Sequence, residues 1–148
     1  MFVVYSCGQS WLDTYKLSYL RLKDPDADLL DPKSWIKSDK PVFEGTDQVF
    51  GVGHASFTTS PDDREHYIYY HTKKERKPGW KRDIRLQKFT FDASGVPCFG
   101  KPLPVSEKLP LPSGTAHPVK VKPMCELEKD FTQLSSTARP YTYWFWMN

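Results

Sequence analysis

The chain has 148 residues, with 21 Lys plus Arg against 18 Asp plus Glu and a formal charge of +3, a length that suits one ordinary domain and its core. The basic residues are spread along the sequence and not gathered in a stripe, which argues against a nucleic-acid partner, because such proteins cluster Lys and Arg on one face. No segment approaches the roughly 20 consecutive apolar residues of a membrane helix, so no membrane is expected either.

In chain order, apolar and aromatic runs predict strands over residues 2–6 and 15–22, joined by residues 7–14, a loop long enough to reach over a ligand face. Met1 stands directly against the first run. The start has no basic n-region and only about five apolar residues, shorter than a signal-peptide h-region, so localisation is left open. Asp24-Pro25-Asp26-Ala27-Asp28 breaks the pattern. Asp31-Pro32-Lys33-Ser34-Trp35 predicts a single turn, with Asp as cap and Pro at the first helical position, that tucks Trp35 against a sheet.

Further strands are expected over residues 49–50, 56–59, 66–72 and 83–92, with Asp92-Ala93-Ser94-Gly95 turning into a last short strand. Tyr, Phe, Val and Ile crowd these runs, as half-buried sheets favour, and the class is all-β. Asp62-Asp63 beside Pro61 has the composition of a surface turn. Lys73-Lys74-Glu75-Arg76-Lys77, the densest basic run, reads as a solvated loop between two strands. Cys7, Cys98 and Cys125 have no metal spacing, and an odd number leaves at most one internal bridge. From Pro102 the composition changes: seven of the thirteen prolines fall between Pro102 and Pro140, and proline interrupts both ladders and helices. Residues 103–148 are therefore expected to form an irregular Pro-rich tail, with thin support for a short helix over 124–134 and an aromatic end over 141–148.

The stretch Gly51-Val52-Gly53-His54-Ala55-Ser56-Phe57 is the most specific in the chain. Glycine permits backbone conformations and close approaches that a Cβ forbids, so a Gly-x-Gly-His loop can place an imidazole in a crowded centre. With Leu29-Leu30-Asp31-Pro32-Lys33-Ser34-Trp35 and Lys40-Pro41-Val42-Phe43 upstream, and Ser60-Pro61-Asp62-Asp63, Tyr67-Ile68-Tyr69-Tyr70-His71 and Arg85-Leu86-Gln87-Lys88-Phe89 downstream, the order resembles the last part of a glycoside hydrolase family 43 catalytic domain. These five-bladed propellers include α-L-arabinofuranosidases, arabinanases and β-xylosidases.

The resemblance implies that residues 1–102 form about two blades of a five-bladed β-propeller, at about 40 to 50 residues per blade. A pair of blades leaves faces and edges that neighbours should cover, which predicts poor stability alone or another chain completing the propeller. It also implies hydrolysis of O-glycosyl bonds in arabinose- or xylose-containing polysaccharides, with an arabinan- or arabinoxylan-type oligosaccharide as ligand. Inversion in this family needs an acid and a base about 6.5–9.5 Å apart. The family's two aspartates and glutamate would fall ahead of Met1, so the chain is expected to be the back portion of a glycosidase, inactive alone. None of Asp13, Glu44, Asp47, Asp62, Asp63, Glu65 or Asp83 occupies a catalytic motif, and no catalytic residue is nominated. The alternative is a non-catalytic carbohydrate-binding or trans-assembling propeller module.

By the same resemblance His54 matches the central histidine that in many members reaches a cation, usually assigned as Ca2+, directly or through water. Calcium takes about six to eight oxygen ligands, so one imidazole would join a mostly aqueous shell; a buried, hydrogen-bonded histidine is the alternative. Arg82 matches the arginine placed against sugar hydroxyls, where its rigid donor fork suits adjacent oxygens, although Lys81 stands where the family usually has a small residue. Arg85 should point to the opposite face of a regular strand. Trp11 and Trp80 are candidates for stacking on sugar faces, with core packing as the alternative. His71, in a Tyr-His pair that recurs in the family, reads as architectural.

Overall fold

Alternation of large apolar and polar side chains builds two antiparallel sheets in the computed structural model, which describes residues 1–115. The first has β1 (Phe2–Cys7), β2 (Lys16–Leu22) and β3 (Trp35–Lys37) in that order, with Phe2 opposite Arg21 and Cys7 opposite Lys16. The second is a meander of β4 (Phe50–Thr59), β5 (His66–Lys73), β6 (Arg82–Phe91) and β7 (Pro97–Cys98). The all-β expectation and its two sheets hold, and the described residues contain no α-helix.

The predicted turn is a 3-10 segment, Pro32–Ser34, whose cap Asp31 accepts a hydrogen bond from Lys33 N at 2.9 Å. Trp35 leaves it in an extended conformation and donates from Nε1 to Leu29 O at 3.1 Å. That exit angle lays residues 35–37 along β2 as a third strand, with Trp35 opposite Leu22, which the sequence reading had not anticipated.

One face of β5 and β6 is the core face. Ile68, Tyr70 and Thr72 on β5 and Gln87 and Phe89 on β6 are buried there, as the two-residue side-chain period requires. Leu17 and Phe43 from the first sheet's side pack into the same cluster with Val49, Val52 and Phe99. The Phe43 ring meets Tyr70 edge-on at 4.8 Å, and burying each such side chain contributes about 1.5–3 kcal/mol. Gln87 uses all of its amide within this face. Its Oε1 accepts from the Tyr70 hydroxyl (2.8 Å) and Leu103 N (3.0 Å), and its Nε2 donates to Phe99 O (2.9 Å) and Lys101 O (3.2 Å).

Two expectations change. Residues 49–59 are not two short strands around a loop: β4 runs through the glycine-histidine motif. Three steps from Phe50 to Gly53 face two from Lys73 to His71, and three from Gly53 to Ser56 face two from His71 to Tyr69. Each is a bulge with one extra residue, and Gly51 (φ 62) and His54 (φ 54) take the left-handed conformation there, so the ladder bends without ending. Lys73 is not solvated, being 3 % exposed, because it closes β5 opposite Arg82 and its side chain turns inward.

Met1–Thr115 form one compact unit. Residues 103–115 carry no helix or strand but are tied to the sheet, through Leu103 N on Gln87 and through Ser113, whose hydroxyl donates to Asp62 Oδ1 at 2.6 Å and whose amide donates to Glu65 Oε2 at 3.0 Å. Cys7 and Cys98 form no disulfide among the described residues. The helix expected over 124–134, the aromatic end over 141–148 and Cys125 lie outside the described residues.

Candidate functional site

The two motif glycines are each explained by a side chain that crosses them. A Cβ on Gly51 would fall 2.6 Å from Cγ and Cδ of Lys73, and one on Gly53 would fall 2.0 Å from Cε1 of Tyr15. Real Cβ atoms do not approach so closely, so both positions require glycine on steric grounds alone, and Gly51 also by its positive φ. The next residue, His54, is held by its backbone: its N–H donates to the Ser6 hydroxyl at 2.8 Å, linking β4 to β1. Its side chain is exposed and stacks on His71 with ring centres 4.8 Å apart and planes 28° apart.

His71 is half-buried, and its Nδ1 is buried with no hydrogen-bond partner among the described residues. Burial pushes its pKa below the ordinary histidine range, and the neighbouring His54 and Arg82 push the same way. The ring is therefore neutral at neutral pH, on a face that carries positive groups.

Arg82 opens β6 on the same face as His71 and Lys73, since Lys73 pairs with Arg82 and His71 with Ile84. Its guanidinium donates to Ser10 O in the β1–β2 loop. Its Cζ lies 4.8 Å from the Trp80 ring centre and 5.9 Å from that of Tyr15, within the range of cation–π attraction. Trp11, from the β1–β2 loop, meets Trp80 at 6.0 Å with the planes tilted by 46°. Trp11 is 40 % and Trp80 67 % exposed, so neither is a core residue and both offer ring surface to solvent. Arg85 takes the opposite face, donating to the Thr72 hydroxyl (2.9 Å) and Leu103 O (3.0 Å), and is structural.

The structure thus brings Arg82 together with Trp11 and Trp80, and places His54 against His71. Sequence reasoning missed Tyr15 and Lys73. Tyr15 had no motif to mark it, and Lys73 sits in a run of like charges where only the strand period distinguishes it from its neighbours.

The candidate carboxylates are engaged elsewhere. Asp13 and Asp47 each lie 3.5 Å from Arg76, Glu44 lies 3.9 Å from Lys16, and Asp83 lies 3.0 Å from Lys74. Asp63 accepts from the Thr59 hydroxyl at 2.6 Å. Glu65 is brought down to about 2 by the hydrogen bond from Lys88 and those from Tyr67 and Ser113. Asp62 is lowered chiefly by the Ser113 and Ser60 hydroxyls, Glu75 by Lys81, and Asp92 by the Val96 amide. A glycosidic general acid must stay protonated near neutral pH and so needs the opposite shift. A polar cleft of about 720 Å³ between Asp13, Glu44 and Arg76 holds charges that pair with one another, and offers no such group.

Among the described residues no three His, Cys, Asp or Glu side chains converge as a metal set.

A donor fork thus lies on one of two exposed indoles, presenting N–H donors and aromatic faces side by side. The profile described as "Glycosyl hydrolases family 43" matches residues 1–97, the segment containing every residue of this surface. The chain belongs to glycosyl hydrolase family 43. The family 43 chain is 34% identical over 130 residues to "Alpha-L-arabinofuranosidase B" of Pyricularia oryzae, covering 82% of this chain and 24% of that protein. It is 41% identical over 85 residues to "Extracellular exo-alpha-(1->5)-L-arabinofuranosidase" of Streptomyces avermitilis, covering 52% of this chain and 18% of that protein. Among solved structures, an alpha-L-arabinofuranosidase from Lactobacillus brevis superposes with a TM-score of 0.66 and 36% identity, over 72% of this chain and 35% of that one. The chain thus spans a quarter or less of the length of these two curated relatives. Its two sheets are blades of the family 43 propeller.

Proposed function

We propose that this family 43 chain supplies the sugar-binding wall of a glycosidase acting on arabinose- or xylose-containing polysaccharides, with an arabinan- or arabinoxylan-type oligosaccharide as its ligand. The observation that carries this is the Arg82 guanidinium lying over Trp80, 4.8 Å from its centre, beside the exposed Trp11. One indole face stacks on the ring of a bound residue, and the free N–H groups of Arg82 donate to its hydroxyls. The relatives named for α-L-arabinofuranosidase activity favour arabinose at that position.

Chemistry at the scissile bond needs a raised carboxyl and a second carboxylate. The carboxylates described above are paired or lowered, so the 148-residue chain binds without turnover. A cation near His54 would be held mostly through water, since one imidazole fills a single place in its shell. An open apolar groove of about 360 Å³ between Phe2, Val4, Phe57 and Phe91 favours further blades from another chain.

The test is hydrolysis of aryl α-L-arabinofuranoside and aryl β-D-xyloside by the purified chain. No release above background is expected. Turnover that disappears on replacing one of its own carboxylates overturns the proposal.

A further inference from the structure

We propose that Lys73 is a positioning residue for the sugar surface: its buried ammonium fastens together the two loops that carry Trp11 and Trp80. The inference rests on reading that indole pair as the sugar contact.

Lys73 is 3 % exposed, and its Nζ donates to the backbone carbonyls of Trp11 and Lys77, with a longer contact of 3.5 Å to Gly79 O. Among the described residues no carboxylate lies within ion-pair distance of it, whereas Lys74 pairs with Asp83 and Lys81 with Glu75 at the surface. Taking an ammonium out of water is costly unless its donors are satisfied. The Trp11 and Lys77 carbonyls take two of its three N–H groups, while Gly79 O lies within reach of the third. Packing alone would be served as well by Met or Leu at no such cost. What the charge adds is a junction between the β1–β2 loop, through Trp11 O, and the β5–β6 turn, through Lys77 O and Gly79 O.

Two further features support the junction. Gly79 N also donates to Trp11 O, at 2.9 Å, so one carbonyl gathers a donor from the turn and the ammonium. The Lys73 stem reaches this point only by crossing Gly51, where a Cβ would meet it at 2.6 Å. The first glycine of the motif and the last residue of β5 are thus a matched pair, and their joint effect is the 6.0 Å spacing of Trp11 and Trp80.

The experiment uses the full chain and reads the two indoles directly. Indoles this close give an exciton couplet in far-UV circular dichroism, and Trp11→Phe and Trp80→Phe identify its source by abolishing it. Lys73→Met should lose the couplet without sugar present and weaken arabinotriose binding about tenfold, the equivalent of one aromatic contact. Lys73→Arg, which keeps charge and donors, should recover part of both. A Lys73→Met chain that keeps couplet and affinity overturns the proposal. If Lys73→Met fails to fold, trace acetylation of the unaltered chain decides: Lys73 should resist while Lys74 and Lys77 react, and equal labelling overturns it. Failure of the unaltered chain to bind arabinotriose would overturn the sugar reading, while the couplet still judges the junction.

Discussion

The ring of Tyr15 lies against the backbone of Gly53, leaving no room for a Cβ, which would fall 2.0–2.5 Å from three ring atoms. This contact brings the end of the β1–β2 loop onto β4 beside Arg82, whose Cζ is 5.9 Å from the same ring. Gly53→Ala must displace either the ring or the strand, and overpacking of this kind costs about 1–3 kcal/mol. Urea unfolding should show a lower midpoint with an unchanged slope, and Gly53→Ala should cost much less in a Tyr15→Ala background than in the unaltered chain.

Trp80 tests the surface without disturbing the core. Because it is 67 % exposed, Trp80→Ala should change stability by no more than about 0.5 kcal/mol. Its affinity for arabino-oligosaccharides should fall about tenfold, as expected for losing a stacked ring and its guanidinium partner. Equal affinity in a calorimetric titration would remove Trp80 from the site.

Gln87 tests the packing between the sheet and residues 99–103. Gln87→Leu keeps the volume but strands the Tyr70 hydroxyl, Leu103 N and two carbonyls. With each unsatisfied buried group costing about 1–3 kcal/mol and part of that recovered by water, a net loss of about 3 kcal/mol is expected. Thermal unfolding measures it, and hydrogen exchange at Leu103 should accelerate.

Glu65 sets an acid limit. Its pKa is lowered from 4.5 to about 2, first by Lys88 and then by Tyr67 and Ser113. A carboxylate with a depressed folded-state pKa contributes stability above its unfolded value, and the contribution is lost as pH falls. The anchoring of Ser113 should therefore be complete above pH 4.5 and weaken between pH 4.5 and about 2. Unfolding midpoints measured across that window should drop less steeply in Glu65→Gln than in the unaltered chain.

The sequence was most legible where period and turn chemistry agree. Asp31-Pro32 marked its 3-10 turn, residues 66–72 their strand and Asp92–Gly95 its turn, since each is decided by neighbours in the chain. The path through Gly51 and His54 was not legible, because a bulge inside a strand and a loop between strands share the same glycines. Lys73 was hidden for a related reason: Lys74, Arg76 and Lys77 look the same in composition, and only the partner loop around Trp11 O distinguishes the buried cation. The three nominated positions gained neighbours the sequence could not supply, Trp80 and Ser10 for Arg82, Trp80 and Lys73 for Trp11, and His71 for His54.

The most direct test is isothermal titration of the full chain with arabinotriose, beside Arg82→Ala under the same conditions. Saturable heat with one site, weakened at least about tenfold by the loss of the charged donor fork, is the predicted result. No heat from the unaltered chain, or identical isotherms for the two, would contradict a sugar-binding surface built around Arg82.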